Sequence, residues 1–368
     1  MTSPAERPAV VDAIDPVGPL RPRIQYVLDR FLDDRRRDLA RAGEELYPLV
    51  DAAADLLRGG KRLRPAFCYW GWRAAGRPDD DDVVTAAAAL ELFQGAALVH
   101  DDLIDDSDTR RGAPSVHRRF AAVHRRAGWS GSPDDFGAAA AVLVGDLLLG
   151  WSDQLISAAG LGTAALDRGR PVFDQMRTEV AGGQYLDILE QVSGAARTAG
   201  QADRARRVIR FKSARYSVEH PLVLGGRLAD ASSDLLAGYA AYGTALGEAF
   251  QLRDDILGVF GDPDRTGKPA GDDLREGKRT VLIAYALERA DATQASAVSK
   301  LFGDPGLDVD GVTTLREIIL ATGALTRVET LVAEQVRAAR SALADAEVTD
   351  EGRTALSALI DMATDRSH

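Results

Sequence analysis

An all-α fold in a single domain is what the sequence predicts, and three observations predict it. From about Ile24 onward, apolar residues recur at intervals of three and four rather than two, the period of a helix with one buried face. Ala, Leu, Arg and Glu, all good helix formers, are abundant throughout that stretch. The interruptions are short and dense in Gly, Pro or Asp, and none resembles a flexible interdomain linker. No run reads as a convincing strand, and no period of roughly 20 to 50 residues suggests a solenoid.

Taken in order, residues 1–22 (MTSPAERPAVVDAIDPVGPLRP) read as a leader without fixed structure, followed by one helical domain over 23–368. Helices are separated at RGGKRLRP (58–65), AGRPDDDD (75–82), GWSGSPDDFG (128–137), QVSGAARTAGQ (191–201), GDPDRTGKPAGDD (261–273) and FGDPGLDVDG (302–311). The four aspartates 79–82 stand before the apolar run VVTAAAALELF. There the unpaired N–H groups and positive dipole end of a helix attract acids, so they read as a helix start.

Composition removes several function classes. Forty-five basic against 56 acidic residues give a net charge of −11, unsuited to a general nucleic-acid or anionic-membrane binder. The lone cysteine, Cys68, excludes an intrachain disulfide framework and fits a reducing compartment. Neither a signal-peptide pattern nor an uninterrupted apolar window of about 18 residues is present. A cytoplasmic protein without a stable membrane anchor is therefore expected.

The stretch HDDLIDDSDTRRG (100–112) breaks the local rules. It places five aspartates within eight positions directly after the apolar run ALELFQGAALV, where a helix ends and its carbonyls repel carboxylates. Asp101 and Asp105 are four apart and share a helix face, with Asp102 and Asp106 beside them. Oxygen-only ligands suit Mg²⁺, which takes a few carboxylates, keeps water and binds diphosphate oxygens. A second pair, Asp254 and Asp255 in EAFQLRDDILGVFGDP, again closes an apolar helical run. Two such clusters make sense facing one another across metal ions and a polyanion. A calcium-loop reading of Asp262 to Asp273 fails, because Pro263 and Pro269 intrude and no Glu closes it.

Basic residues are equally local. Arg58, Lys61, Arg62 and Arg64 surround two glycines, Arg110 and Arg111 follow the first aspartates, Lys212 lies in RFKSARYS, and Lys268 and Lys278 flank the second acidic site. In an acidic chain they are candidate diphosphate contacts, with surface solvation as the alternative. Neither GGKRLRP nor EGKRT has the spacing of a nucleoside-triphosphate P-loop.

In the order GGKRLRP, HDDLIDDSDTRRG, GGQYLDIL, FKSA, FQLRDDILG and GKPAGDDLREGKRT, the chain resembles the trans-isoprenyl diphosphate synthases of the polyprenyl synthetase family, from roughly Arg30 to the C-terminus. Bacterial geranylgeranyl diphosphate synthases are the members it is most like. The resemblance implies an isoprenoid-synthase helical bundle with a central active-site cavity, acting as a homodimeric prenyltransferase. It implies that Asp101, Asp102 and Asp105, with Asp254 and Asp255, hold three Mg²⁺ ions. Arg110, Lys212 and Lys268 would grip the allylic diphosphate (dimethylallyl, geranyl or farnesyl), and Lys61, Arg64 and Arg111 that of isopentenyl diphosphate. Gln184, Asp187 and Gln251 would support the metals and the developing cation.

Two departures from the family pattern stand out. Gly258 replaces the last carboxylate of the second motif, and Gln94 stands where many members have a histidine touching isopentenyl diphosphate. Chemistry by ionisation needs no protein nucleophile, and the sequence offers none. His100 and His117, beside the acidic site, read as structural. Two other readings remain: a class I terpene cyclase, which has no use for a second diphosphate site at GGKRLRP, and a non-catalytic partner subunit, which should have lost its acidic motifs. For product length, the positions four, five and eight before Asp101 lie on nearly one helix face, at Ala97, Ala96 and Phe93. Small residues leave the first turn open. Phe93, about 12 Å from Asp101 at 1.5 Å per residue, is the expected floor for a twenty-carbon product.

Overall fold

The apolar stretch beginning at Asp81 forms the helix around which the site is built. The structure, a computed structural model, describes residues 15–193, 196–197, 199–261 and 271–364. Its helices are α1 (Leu20–Ala40), α2 (Tyr47–Leu57), α3 (Leu63–Ala74), α4 (Asp81–Ile104), α5 (Val116–Ala127), α6 (Pro133–Ser157), α7 (Thr163–Ser193), α8 (Gln201–Val208), α9 (His220–Leu228) and α10 (Ser233–Phe260). Then follow α11 (Asp272–Arg275), α12 (Val281–Arg289), α13 (Ala292–Leu301), α14 (Val309–Ala321), α15 (Ala324–Asp345) and α16 (Asp350–Thr364). The fold is all-α, as the apolar period predicts. Among the described residues the exception is a two-residue antiparallel pair, β1 (Thr109–Arg110) and β2 (Ala113–Pro114), which the sequence reading missed. It turns the chain back after the aspartates and points Arg110 at them.

The acids at 79–82 divide their work as a helix start should. The Asp80 side chain caps α4 by accepting from the Asp82 N–H at 2.8 Å, and Asp79 accepts from the Tyr69 hydroxyl and Arg23. Behind that cap, α4 is apolar nearly all round, because it packs on α1, α3 and α6 at once. Both α4 and α6 are long and apolar enough to cross a membrane by length and composition. In α4 this apolarity is spent on the core. α6 buries one face and leaves Val142 and Leu143 exposed, with Phe136 and Trp129 nearby.

The start of the domain lies earlier than residue 23. Val17 is fully buried, the Pro16 carbonyl accepts from the Trp70 indole at 2.8 Å, and α1 begins at Leu20. The leader therefore does not extend to residue 22: Pro16, Val17 and Leu20 are buried, with Pro16 against Trp70 of α3. Arg62 also departs from its sequence reading. It is buried with φ 55°, and its guanidinium is bound to Glu91, Gln25 and the Leu57 carbonyl, so it braces α3 against α4 rather than meeting substrate. Arg58 turns to Asp55 on the surface.

Between α8 and α9 the helix widens into a π-helical stretch, Ile209–Glu219, the kind of irregularity that redirects side chains toward a site. Its backbone is approached closely from two sides. A Cβ at Gly183 of α7 would fall 2.4 Å from the Lys212 nitrogen, and one at Gly247 of α10 would fall 2.4 Å from the Ala214 carbonyl oxygen. Ion pairs hold the stretch from outside: Arg215 with Glu179 at 3.0 Å, and Arg210 with Glu248 at 2.9 Å. One core joins the N-terminal helices to α9, α10 and α16, and a second lies under α12 to α15; α10 contributes to both.

Candidate active site

A cavity of about 1670 Å³ opens between α4, α6, α7, the π-helical stretch and the end of α10. Its chemistry divides by wall. The C-terminus of α4 delivers Asp101, whose Oδ1 accepts from Gln184 Nε2 and from Lys212 Nζ, each at 3.1 Å. Lys212 also meets Asp187 at 2.6 Å, so the residues predicted from GGQYLDIL and FKSA converge on the first motif. That convergence depends on the close packing at Gly183. Burial alone would raise the Asp101 pKa, but Lys212, Lys278 and Arg110 hold it below the usual carboxylate value; Lys212 in turn is raised by Asp101 and Asp187 against its own burial.

The remaining aspartates of the first motif differ from one another. Asp102 is 2% exposed and bound by Arg110, which donates through Nε at 2.9 Å and through its terminal nitrogen. It holds Arg110 in place rather than presenting a free face to a metal. Asp105 caps the end of α4 near Lys278 at 3.7 Å, and burial together with Asp101 raises its pKa to about 6. Asp106 takes a left-handed conformation and pairs with Arg118 at the surface, away from the cavity.

Across the cavity, Asp254 and Asp255 line its wall at the end of α10, with Gln251 one turn earlier donating to Asp255 at 2.9 Å. Burial raises the Asp255 pKa to about 8; the Gln251 hydrogen bond opposes this, and Asp273 and Asp254 add to it. Asp273 was not singled out from the sequence. A Cβ at Gly258 would lie 1.9 Å from its Oδ2, so this carboxylate occupies the space of the side chain that the second motif lacks. The signal was legible: GKPAGDDLREGKRT places an acidic pair just ahead of Lys278. Lys278 answers this corner, its pKa raised by Asp273 and Glu276 despite burial. Lys268 falls outside the described residues.

The third wall is cationic and amphipathic. Lys61, Arg64, Gln94, Tyr216 and Ser217 line it together. Arg64 donates to the Ser217 hydroxyl at 2.7 Å, and its guanidinium lies 4.2 Å from the centre of the Tyr216 ring. The Tyr216 hydroxyl donates to Gln94 Oε1. Gln94 thus has its acceptor occupied by a tyrosine that the sequence reading did not include. Arg111 donates to the Leu56 carbonyl at 3.2 Å beside Gly60, adjacent to Lys61. Between these polar ends, Ala96, Ala97, Ile104, Leu149, Val180, Ala181 and Ile188 make an apolar trough. Phe93 also lines the cavity, but its ring is held edge-on to Tyr216 at 5.5 Å, on the wall shared with Gln94.

Among the described residues, no three of the acidic, histidine or cysteine side chains form a ready cage for an ion. The donors nonetheless suit a hard cation: they are all oxygen, the two motifs line one cavity, and two of the carboxylates have pKa values raised by burial and, less, by neighbouring negative charge. Mg²⁺ commonly completes its shell with water and phosphate oxygens, which is what separated carboxylates leave room for.

The sequence profile described as Polyprenyl synthetase matches residues 48–319, about three-quarters of the chain and all the walls just described. The chain belongs to the polyprenyl synthetase family. It is similar to a geranylgeranyl pyrophosphate synthase of Corynebacterium glutamicum, whose crystal structure holds isoprenyl diphosphate and magnesium: 40% identity, 95% of this chain and 99% of that one covered, TM-score 0.90. It is 30% identical to a geranylfarnesyl diphosphate synthase of Aeropyrum pernix (86% of this chain, 94% of that protein). It is 34% identical to heptaprenyl diphosphate synthase component 2 of Geobacillus stearothermophilus (81% and 85%). A polyprenyl synthetase is a prenyltransferase that elongates prenyl diphosphates, and this chain is one. Its relatives make products of different lengths.

Proposed function

We propose that this prenyltransferase condenses isopentenyl diphosphate head-to-tail with dimethylallyl, geranyl or farnesyl diphosphate and releases mainly geranylgeranyl diphosphate. The observation that carries this reading is one cavity with two opposed acidic corners, a separate cationic pocket and an apolar trough between them. Two acidic corners suit a metal-bound diphosphate, the cationic pocket suits a second diphosphate, and the trough suits a growing apolar tail. A terpene cyclase would have no use for the Lys61–Arg64 pocket, and a non-catalytic subunit would have no reason to keep both acidic corners.

Asp101, Asp105 and Asp254, with Asp255 and Asp273 behind them, would hold Mg²⁺, three ions in this reading. Magnesium there supplies charge neutralisation for the departing diphosphate. The chain's own groups do the rest. Lys212 and Arg110, already aligned on the first motif, bind and orient the allylic diphosphate. Lys61, Arg64 and Arg111 place isopentenyl diphosphate with its double bond toward the allylic carbon. The trough walls exclude water from the cation, and no side chain attacks it. Carbon–carbon bond formation is followed by proton loss to the diphosphate released in the first step.

A homodimer is part of this proposal, supported by the apolar face of α6 that leaves Val142 and Leu143 in solvent. A cytoplasmic location also belongs to it, on composition alone. The decisive assay mixes purified protein with an allylic diphosphate, isopentenyl diphosphate and Mg²⁺ and measures product lengths. Twenty-carbon product that disappears with chelator supports the reading; no elongation, or cyclised product, refutes it. Light scattering near the 39.3 kDa monomer mass at micromolar concentration would refute the dimer.

A further inference from the structure

The far end of the elongation trough is charged. Along α7 the residues lining the cavity step away from the metal-facing end as Gln184, Ala181, Arg177 with Thr178, and Asp174. Arg177 is seven residues from Gln184, about 10 Å at the helical rise. Phe93 on α4 lies at a similar depth, about 12 Å from Asp101. On α6, Leu149 belongs to the apolar lining, and Asp153, one turn on, meets Arg177 at 3.0 Å.

Arg177 does not stand alone. Arg170 donates to Asp174 at 2.9 Å and reaches Asp153 at 2.7 Å, so four charged side chains tie α6 to α7 at this level. The Arg177 guanidinium lies 5.8 Å from the ring centre of Phe173, which is fully buried. Its side chain is 27% exposed, part of that surface facing the cavity. An apolar tail gains by covering Ala181, Val180 and Leu149. One further unit would strip water from the Arg177–Asp153 pair and give it no polar partner in return, which is unfavourable.

We propose that the Arg177–Asp153 pair is the floor of the trough and determines product length, because an alkyl chain stops growing where its next unit would desolvate that ion pair. Phe93 narrows the opposite wall and is braced by Tyr216. This inference rests on the elongation reading above, and it assigns chain-length selection to α6 and α7 rather than to α4 alone.

The test compares the alcohols released from the products of the wild-type protein, Arg177→Met and Arg177→Lys by mass spectrometry, with isopentenyl diphosphate in excess. Met keeps the stem and removes only the charge, and Arg170 still holds both carboxylates. The main product of Arg177→Met should lengthen by at least one five-carbon unit, and Arg177→Lys should keep the wild-type length. Ala181→Phe, one turn nearer the metals, should shorten it. Unchanged lengths in Arg177→Met overturn the inference. If its circular dichroism shows that it does not fold, Arg177→Gln, which also removes the charge that faces the cavity, carries the same expectation, and unchanged lengths there overturn it equally. A wild-type protein that makes no elongated product overturns the proposed function and this inference together; elongation that ignores both variants overturns this inference alone.

Discussion

Replacing Gly258 by alanine tests whether Asp273 has taken over the missing carboxylate of the second motif. The new methyl would lie 1.9 Å from Asp273 Oδ2 and 2.6 Å from its Cγ, while ordinary contact begins near 3.4 Å. The carboxylate must therefore withdraw by about 1.5 Å. Overfilling of this kind costs about 1–3 kcal/mol. Here the relief is local, because the group that moves is a side chain, and moving it takes negative charge away from Asp255 and Lys278. If restoring Asp273 to its place on metal binding costs that same strain of about 1–3 kcal/mol, Mg²⁺ affinity in the presence of inorganic pyrophosphate should fall roughly five- to hundredfold, at about 1.4 kcal/mol per factor of ten. Isothermal titration calorimetry reads this directly, without turnover. Asp273→Ala should weaken binding by a comparable factor, and Gly258→Ala should cost little further once the carboxylate is gone, leaving a coupling of about 1 kcal/mol or more. Penalties that simply add, or a Gly258→Ala titration within twofold of wild type, would refute the exchange of Gly258 for Asp273.

Three other perturbations bear on different parts of the molecule. Asp101→Ala and Asp254→Ala should each lower turnover by orders of magnitude while helicity by circular dichroism is retained; full activity in either would sink the metal assignment. Arg62→Ala should strand Glu91 in the core and lose about 3–5 kcal/mol of stability by chemical denaturation, and a loss below about 1 kcal/mol would show that the pair is not needed. For pH, Asp105 at about 6 and Asp255 at about 8 both lie above the ordinary aspartate value near 3.8. Groups raised in the folded state add stability that is complete below the unfolded value and is lost as pH rises through the folded one. The melting temperature of metal-free protein should therefore fall between about pH 5 and pH 9, and Mg²⁺ should flatten the fall; a flat metal-free profile would contradict the raised values.

What the sequence disclosed, it disclosed through conflicts with local physics. Aspartates after an apolar helix have no local reason to be there, whereas those at 79–82 do, and the structure treats the two groups accordingly: Asp80 caps α4, and Asp101 meets Lys212 across the cavity. Helical period likewise fixed the fold class, because the core-facing spacing of three and four is written along each element. The hidden parts depend on residues distant in the chain. Nothing local distinguishes Arg62, bound inside to Glu91, from Arg64, 2.7 Å from Ser217, since both sit in one basic run. The π-helical widening that brings Lys212 to Asp101, and Tyr216 and Ser217 to the cationic wall, has no sequence period of its own, and it is visible only in the close approach at Gly183 and Gly247.

The same distinction explains why the elongating activity is legible in the sequence while the proposed length stop is not. Ionising a diphosphate requires charge, and charge gathered against local preference leaves a mark in the sequence. Length is set by where an apolar lining ends, and that boundary is assembled from single residues on separate helices: Ala97 on α4, Leu149 on α6, Ala181 on α7, then Arg177 with Asp153. Each has an ordinary local reading, the alanines as helix formers and the ion pair as surface decoration. Their meaning comes from depth. A helix advances about 1.5 Å per residue, so Arg177, seven residues from the Gln184 that is bound to Asp101, places the proposed stop about 10 Å away. Moving the first charged residue one turn along α7 would move that stop by about 5 Å. In this chain the charges that suit ionisation and the charges proposed to end growth occupy opposite ends of one trough, so the second set can change without the first.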